Sequence, residues 1–202
     1  MLPDRRSEWD AQHVPIVVPA GAFTEVSSGY LHSCAVRVDG TVACWGDNAF
    51  GKASPPAGEF VAVSAGVNHS CGVRVDGTVE CWGWNDYGQL GYGDRNRRGD
   101  EPGEMGDALQ AVNLGTGRTA RQLGRGPEGN HTCAILDNST LKCWGLNAGG
   151  QLGLGDALNR GDDAEEMGNN LSTVNLGTGR KPKAVAVGDA HTCAILDNGK
   201  VK

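Results

Sequence analysis

The 202-residue chain holds 32 Gly and is 39% hydrophobic, 5% aromatic and 21% charged; glycine at about twice its usual level excludes an architecture of long helices. Eighteen Lys and Arg against 24 Asp and Glu leave a net charge of −6, opposite to the field that draws a protein onto nucleic acid, so no nucleic-acid partner is expected through this surface. The apolar runs fall short of the roughly 18 residues of a membrane-spanning helix, and no membrane partner is expected.

Residues 1–22 match nothing else in the chain, and their apolar stretch VPIVVPAG is interrupted by Pro15 and Pro19, so it is not read as a secretory signal core. From Phe23 a short apolar run, FTEVSSG, precedes HSCAVRVDGTVACWG, which begins at His32. Apolar and polar residues alternate on both sides of Asp39-Gly40; the phrase predicts a β-hairpin after a first strand. GDNAFGK follows from Gly46, a glycine-rich connection. Residues 23–59 are read as a first, short unit.

The pattern returns as FVAVSAG from Phe60, HSCGVRVDGTVECWG from His69 and GWNDYGQ, and an acidic insert runs from Gly93 to Arg118. The second unit spans 60–118. The third, 119–181, carries HTCAILDNSTLKCWG from His131, GLNAGGQ and a second copy of the insert from Gly155. Its first strand reads TARQLGRGPEGN, two residues longer than KPKAVAVGDA in the fourth copy and interrupted by Arg121 and Arg125, which predicts a bulge or altered pairing. The fourth unit, 182–202, stops within HTCAILDNGKVK. Three-strand units of this kind cannot bury both faces alone and must stack in series.

Gly-x-x-His-[Ser/Thr]-x-Ala, then Asp-Gly, then Trp-Gly-x-Asn-x-x-Gly-Gln-Leu-Gly is the order of motifs here, and it resembles the regulator of chromosome condensation repeat. The resemblance covers about Phe23 to Lys202 and implies an all-β fold, a partial β-propeller with three complete repeat hairpins and a truncated fourth. A seven-bladed ring, common in that family, needs more residues than these, so the chain is expected to be part of a longer polypeptide. The resemblance implies several roles: protein-binding scaffold, guanine nucleotide exchange on a small GTPase, module of a ubiquitin ligase, or secreted inhibitor propeller.

Cysteines fall in pairs ten residues apart, Cys34 with Cys44, Cys71 with Cys81 and Cys133 with Cys143, leaving Cys193 alone. A three-residue loop at Val38-Asp39-Gly40 sets Cys34 opposite Cys44 at a non-hydrogen-bonded position, where a bridge is sterically open; a two-residue loop sets Cys34 opposite Trp45 instead. Cross-strand bridges and buried free thiols both remain open. Zinc is disfavoured because the spacing lacks a Cys-x2-Cys knuckle, so neither metal nor cofactor is expected. Bridges would imply an oxidising compartment.

His32, His69, His131 and His191 each precede Ser or Thr, but a catalytic group is needed once and these recur in every unit, so they are read as structural, and enzymatic activity is not expected. Trp45, Trp82 and Trp144 are read as filling space between units. Trp84, with Tyr87 and Tyr92, forms a candidate interaction loop for another protein. The acidic inserts are read as solvated loops rather than calcium sites. Open strand edges predict self-association of the chain expressed alone.

Overall fold

The computed structural model describes residues 17–202; most of the non-repeat segment 1–22 therefore lies outside the described residues. The chain is nearly all β, in four antiparallel sheets. The first holds β1 (Phe23–Ser28), β2 (His32–Arg37) and β3 (Val42–Gly46), and the second β4 (Phe60–Ala65), β5 (His69–Arg74) and β6 (Val79–Gly83). The third holds β7 (Ala120–Leu123), β8 (His131–Leu136) and β9 (Leu141–Gly145), and the fourth pairs β10 (Pro182–Val187) with β11 (Thr192–Leu196).

Turn chemistry fixes each hairpin. Gly40 sits at φ +83°, the Arg37 amide donates to the Thr41 carbonyl at 2.8 Å, and the Asp39 carboxylate accepts from the Thr41 amide and hydroxyl. The three-residue loop is thus the one adopted, and its register sets Cys34 against Cys44. Ser139 takes the equivalent left-handed position in the third hairpin, at φ +63°.

A bulge falls near the start of the first strand in all four sheets, between Phe23 and Glu25, Phe60 and Ala62, Ala120 and Gln122, and Pro182 and Ala184. It is therefore a property of the repeat and not of the third copy. What distinguishes the third copy is that β7 ends at Leu123, and Arg125 crosses to form a parallel bridge with Ala186 of the fourth sheet.

The first strands converge. The Val63 amide donates to Glu25 at 3.2 Å and the Ser64 hydroxyl to the Gly124 carbonyl at 2.6 Å. Arg125 of the third unit reaches Glu25 of the first at 2.5 Å, past the second unit between them. A first strand and the segment just past the first strand two units on can touch only if the stack curves around them, which is the geometry of a propeller wedge. Apolar cores lie between successive sheets: Val36, Phe60, Val63 and Trp82 between the first and second, Leu90, Leu123, Trp144 and Met167 between the second and third.

Candidate interaction surface

Each hairpin carries its cysteine pair across the two strands as a disulfide, Cys34–Cys44, Cys71–Cys81 and Cys133–Cys143, with Cα atoms 4.1, 4.0 and 4.1 Å apart. Cys193 is a free, exposed thiol.

The histidines join one unit to the next. His32 Nε2 lies 2.8 Å from the Ser70 hydroxyl, which donates to the Lys52 carbonyl at 2.9 Å. Because the hydroxyl proton is committed to that carbonyl, the ring must donate from Nε2. The same relay runs from His69 through Thr132 to the Gln89 carbonyl, and from His131 through Thr192 to the Gln151 carbonyl. Nδ1 of His32, His69 and His131 is buried without a hydrogen-bond partner. Burial, with no acceptor waiting for a proton on Nδ1, holds the rings neutral: their pKa values fall to about 4 for His32, about 3 for His69 and about 4 for His131. His191 is exposed. A side chain on Gly66 would meet His69 Cε1 at 2.4 Å, which explains the glycine three residues before the ring.

The tryptophans use the same carbonyls. Trp82 Nε1 donates to Lys52 at 3.0 Å and Trp144 Nε1 to Gln89 at 3.1 Å, so each carbonyl takes one indole and one hydroxyl from the following unit. Both indoles are fully buried, whereas Trp45, at the start of the stack, is half-buried beside Phe23.

Of the three aromatics in the candidate loop, the structure brings two together and separates the third. Trp84 and Tyr87 meet edge to face with centroids 5.0 Å apart. Tyr92 turns inward instead: its hydroxyl accepts from the Cys81 amide at 3.0 Å and donates to the Cys81 carbonyl at 2.9 Å, and burial pushes its pKa well above the usual phenol range. Phe50 takes its place, stacked on Trp84 at 6.2 Å, with the Arg97 guanidinium 4.6 Å over its ring. Phe50 also holds φ +65°, a strained conformation for a bulky residue. Only the matching loop position of Phe50 and Tyr87 could have signalled this contact, since both are fifth in their Gly-x-Asn-x-x-Gly segments.

The inserts clip units together on one side and are exposed on the other. Gly51 packs on Gly99, and Gly88 on Gly161 and Asp162. Asp94 binds Arg98 and Asp156 binds Arg160 within their own inserts, and the buried Asp162 pairs with Arg95 of the other insert at 2.9 Å, while Asp100, Glu101, Asp107, Asp163 and Glu165 are exposed. Asn85 and Asn147, the buried Asn of the Gly-x-Asn-x-x-Gly segments, tie each connection to its insert through carbonyls of Asp94 and Asn96, or Asp156 and Leu158.

A family profile described as the regulator of chromosome condensation (RCC1) repeat matches residues 23–52, 60–89 and 129–151. A comparison with curated protein sequences yields no match. Among solved structures, Prp20p from Saccharomyces cerevisiae is similar over 92% of this chain and 45% of its own, at 19% identity and a TM-score of 0.67. Human WBSCR16 is similar over 89% of this chain and 46% of its own, at 20% identity and a TM-score of 0.68. The ectodomain of the Physcomitrella patens receptor kinase CR4 matches over 92% and 42%, at 19% identity and a TM-score of 0.59. The chain spans under half the length of each, and likeness at this level of identity establishes the fold.

Proposed function

We propose, from the premise that this is a chain of regulator of chromosome condensation repeats, that it is a non-enzymatic scaffold which binds another protein through the aromatic cluster on its connecting loops. The observation that carries this reading is the grouping of Phe50, Trp84 and Tyr87 with Arg97, drawn from the loops of two successive units. Aromatic and arginine side chains together are the composition of interface hot spots. The strained backbone at Phe50 supports the same reading, because strain persists where the surroundings hold it in place.

The partner class follows from the fold's relatives only in outline. The structure of Prp20p is described with its binding to Gsp1p and histones, which supports a protein partner, and an exchange role on a small GTPase is the second reading. The three disulfides and the likeness to a receptor ectodomain support an oxidising compartment.

Affinity capture from the native source, comparing the unaltered chain with Trp84→Ala/Tyr87→Ala, tests the scaffold reading. Loss of a specific partner with an unchanged thermal melt is expected; a partner that binds both chains equally overturns it. Nucleotide release from a loaded small GTPase is expected to be unaccelerated, and acceleration would move the function to the exchange class.

A further inference from the structure

Glu80 and Lys142 hold the same register position in β6 and β9, opposite Gly72 and Ala134, and both are buried, at 6% exposure. In the second unit the charge is matched within the hairpin, where the Arg74 guanidinium donates to both Glu80 carboxylate oxygens at 2.6 and 2.7 Å. In the third unit the residue at the Arg74 position is Leu136, and among the described residues no carboxylate lies within ion-pair distance of Lys142. Its ammonium donates instead to the Leu114 and Gly168 carbonyls at 3.0 and 2.6 Å, one from each insert. An ammonium carries three N–H groups, and the third has no protein acceptor among the described residues. Burial lowers its pKa.

Lys142 lines an open groove of about 430 Å³ together with Arg118, Asn138, Asn169, Ser172 and Thr173, and no carboxylate is among the described residues that line it. The groove is built inside the two complete, insert-bearing units. Its rim departs from the second unit in the same direction as its base. Asp76 in the second hairpin turn is replaced by Asn138 in the third; each accepts the amide and hydroxyl of the Thr two residues on, so the turn survives the exchange and its negative charge does not. The Asn138 amide nitrogen has no partner among the described residues. Arg118 reaches Asp137 through Nη1 at 3.1 Å, and its remaining N–H groups have no protein acceptor among the described residues.

We propose that this groove binds a tetrahedral oxyanion, phosphate or sulfate, held by the third N–H of Lys142 at its base and by Arg118 and the Asn138 amide at its rim. A buried charge without a counter-ion is costly, and an oxyanion supplies that counter-ion through charge-assisted hydrogen bonds. The donors come from three separate elements, a strand, a hairpin turn and the end of an insert, which suits an anion with several oxygens. The site is separate from the aromatic loop cluster and stands or falls without it.

Calorimetric titration of the full chain at neutral pH and fixed ionic strength tests this, with inorganic phosphate, sulfate and O-phosphoserine as probes and chloride as the control. We expect one saturable site for phosphate and sulfate and none for chloride. Binding of phosphoserine at similar strength extends the ligand to phosphate esters, and its failure to bind confines the site to the free ions. Lys142→Met, which removes the charge and keeps a long side chain, is expected to weaken phosphate at least tenfold. Because Lys142 also ties two carbonyls, Asn138→Asp is the second variant: it restores the acid that the second unit carries at Asp76, keeps the hydrogen bonds of the turn, and should weaken phosphate at least threefold with the ligand-free melt unchanged. Absence of saturable binding, or either variant folded and binding as tightly as the unaltered chain, would overturn the proposal and leave Lys142 as a tie between the two inserts.

Discussion

HSCAVRVDGTVACWG and HSCGVRVDGTVECWG differ at two of their positions, Ala35 against Gly72 and Ala43 against Glu80, yet the hairpins they form are buried to different degrees. β6 is buried along its whole length, while β3 is half-buried or exposed at every residue. The local fold is the same, with identical register and turn. What changes is the neighbour: Trp82 enters the carbonyl socket at Lys52, and Trp45 lies beside Phe23 of its own unit. Near-identical sequence thus gives near-identical strands, and burial is conferred by the unit before it. This is the energetic signature of a stack with nearest-neighbour coupling.

The comparison breaks most plainly at the two tryptophans. Trp82→Ala removes a fully buried side chain and its hydrogen bond and should cost about 3–5 kcal/mol, whereas Trp45→Ala should cost about 1 kcal/mol; equal shifts in urea midpoint would refute the contrast. Acid sharpens it. The histidine rings carry depressed pKa values, so the unfolded chain binds more protons between the folded values and the ordinary 6.5. Stability is fully present above pH 6.5 and is lost as pH falls, by on the order of 3 kcal/mol per ring once pH 4 is reached. For His69 the loss continues towards pH 3, whereas for His32 it is complete near pH 4. Urea midpoints measured from pH 7 to 4.5, with His69→Gln flattening the slope, check this; a flat profile in the unaltered chain would refute it.

Reduction separates the same two units. Opening a loop of ten residues costs about 2–3 kcal/mol, and Cys44 is half-buried while Cys71 and Cys81 are enclosed. Graded reductant followed by alkylation and peptide mapping should therefore open Cys34–Cys44 first; prior loss of Cys71–Cys81 would contradict the burial argument. Ser139→Gly gives the smallest effect. It relieves a left-handed residue that is glycine in the other three hairpins and should raise stability by about 1 kcal/mol, read as a higher urea midpoint.

The fold was legible because its determinants are local. Alternation, Asp-Gly turns and recurrence at fixed order identify the hairpins and the repeat family, and the turn residue Gly40 carries the register with it. The junctions were not legible. His69 and Thr132 lie 63 residues apart, and Arg125 and Glu25 lie 100 apart, so no sequence window contains both partners. Tyr92 shows the limit for the candidate surface: it neighbours Trp84 and Tyr87 in sequence, but its hydroxyl is captured by the Cys81 backbone, while Phe50, a unit away, completes the cluster. Composition identifies an aromatic loop, and only the curvature of the stack decides which rings share it.

The acceptor at each junction is a main-chain carbonyl, contributed by Lys52, Gln89 and Gln151 in turn. Recognition between units is therefore written, on the acceptor side, in the peptide backbone, while the buried side chains there take partners of their own: Gln89 and Gln151 accept from the Tyr87 and Gly149 amides, and Lys52 binds Asp47 and Asn68. Such an interface imposes no lock-and-key code on a duplicated unit: a tandem copy fits its predecessor at birth, and divergence on the loops can proceed without renegotiating the joint.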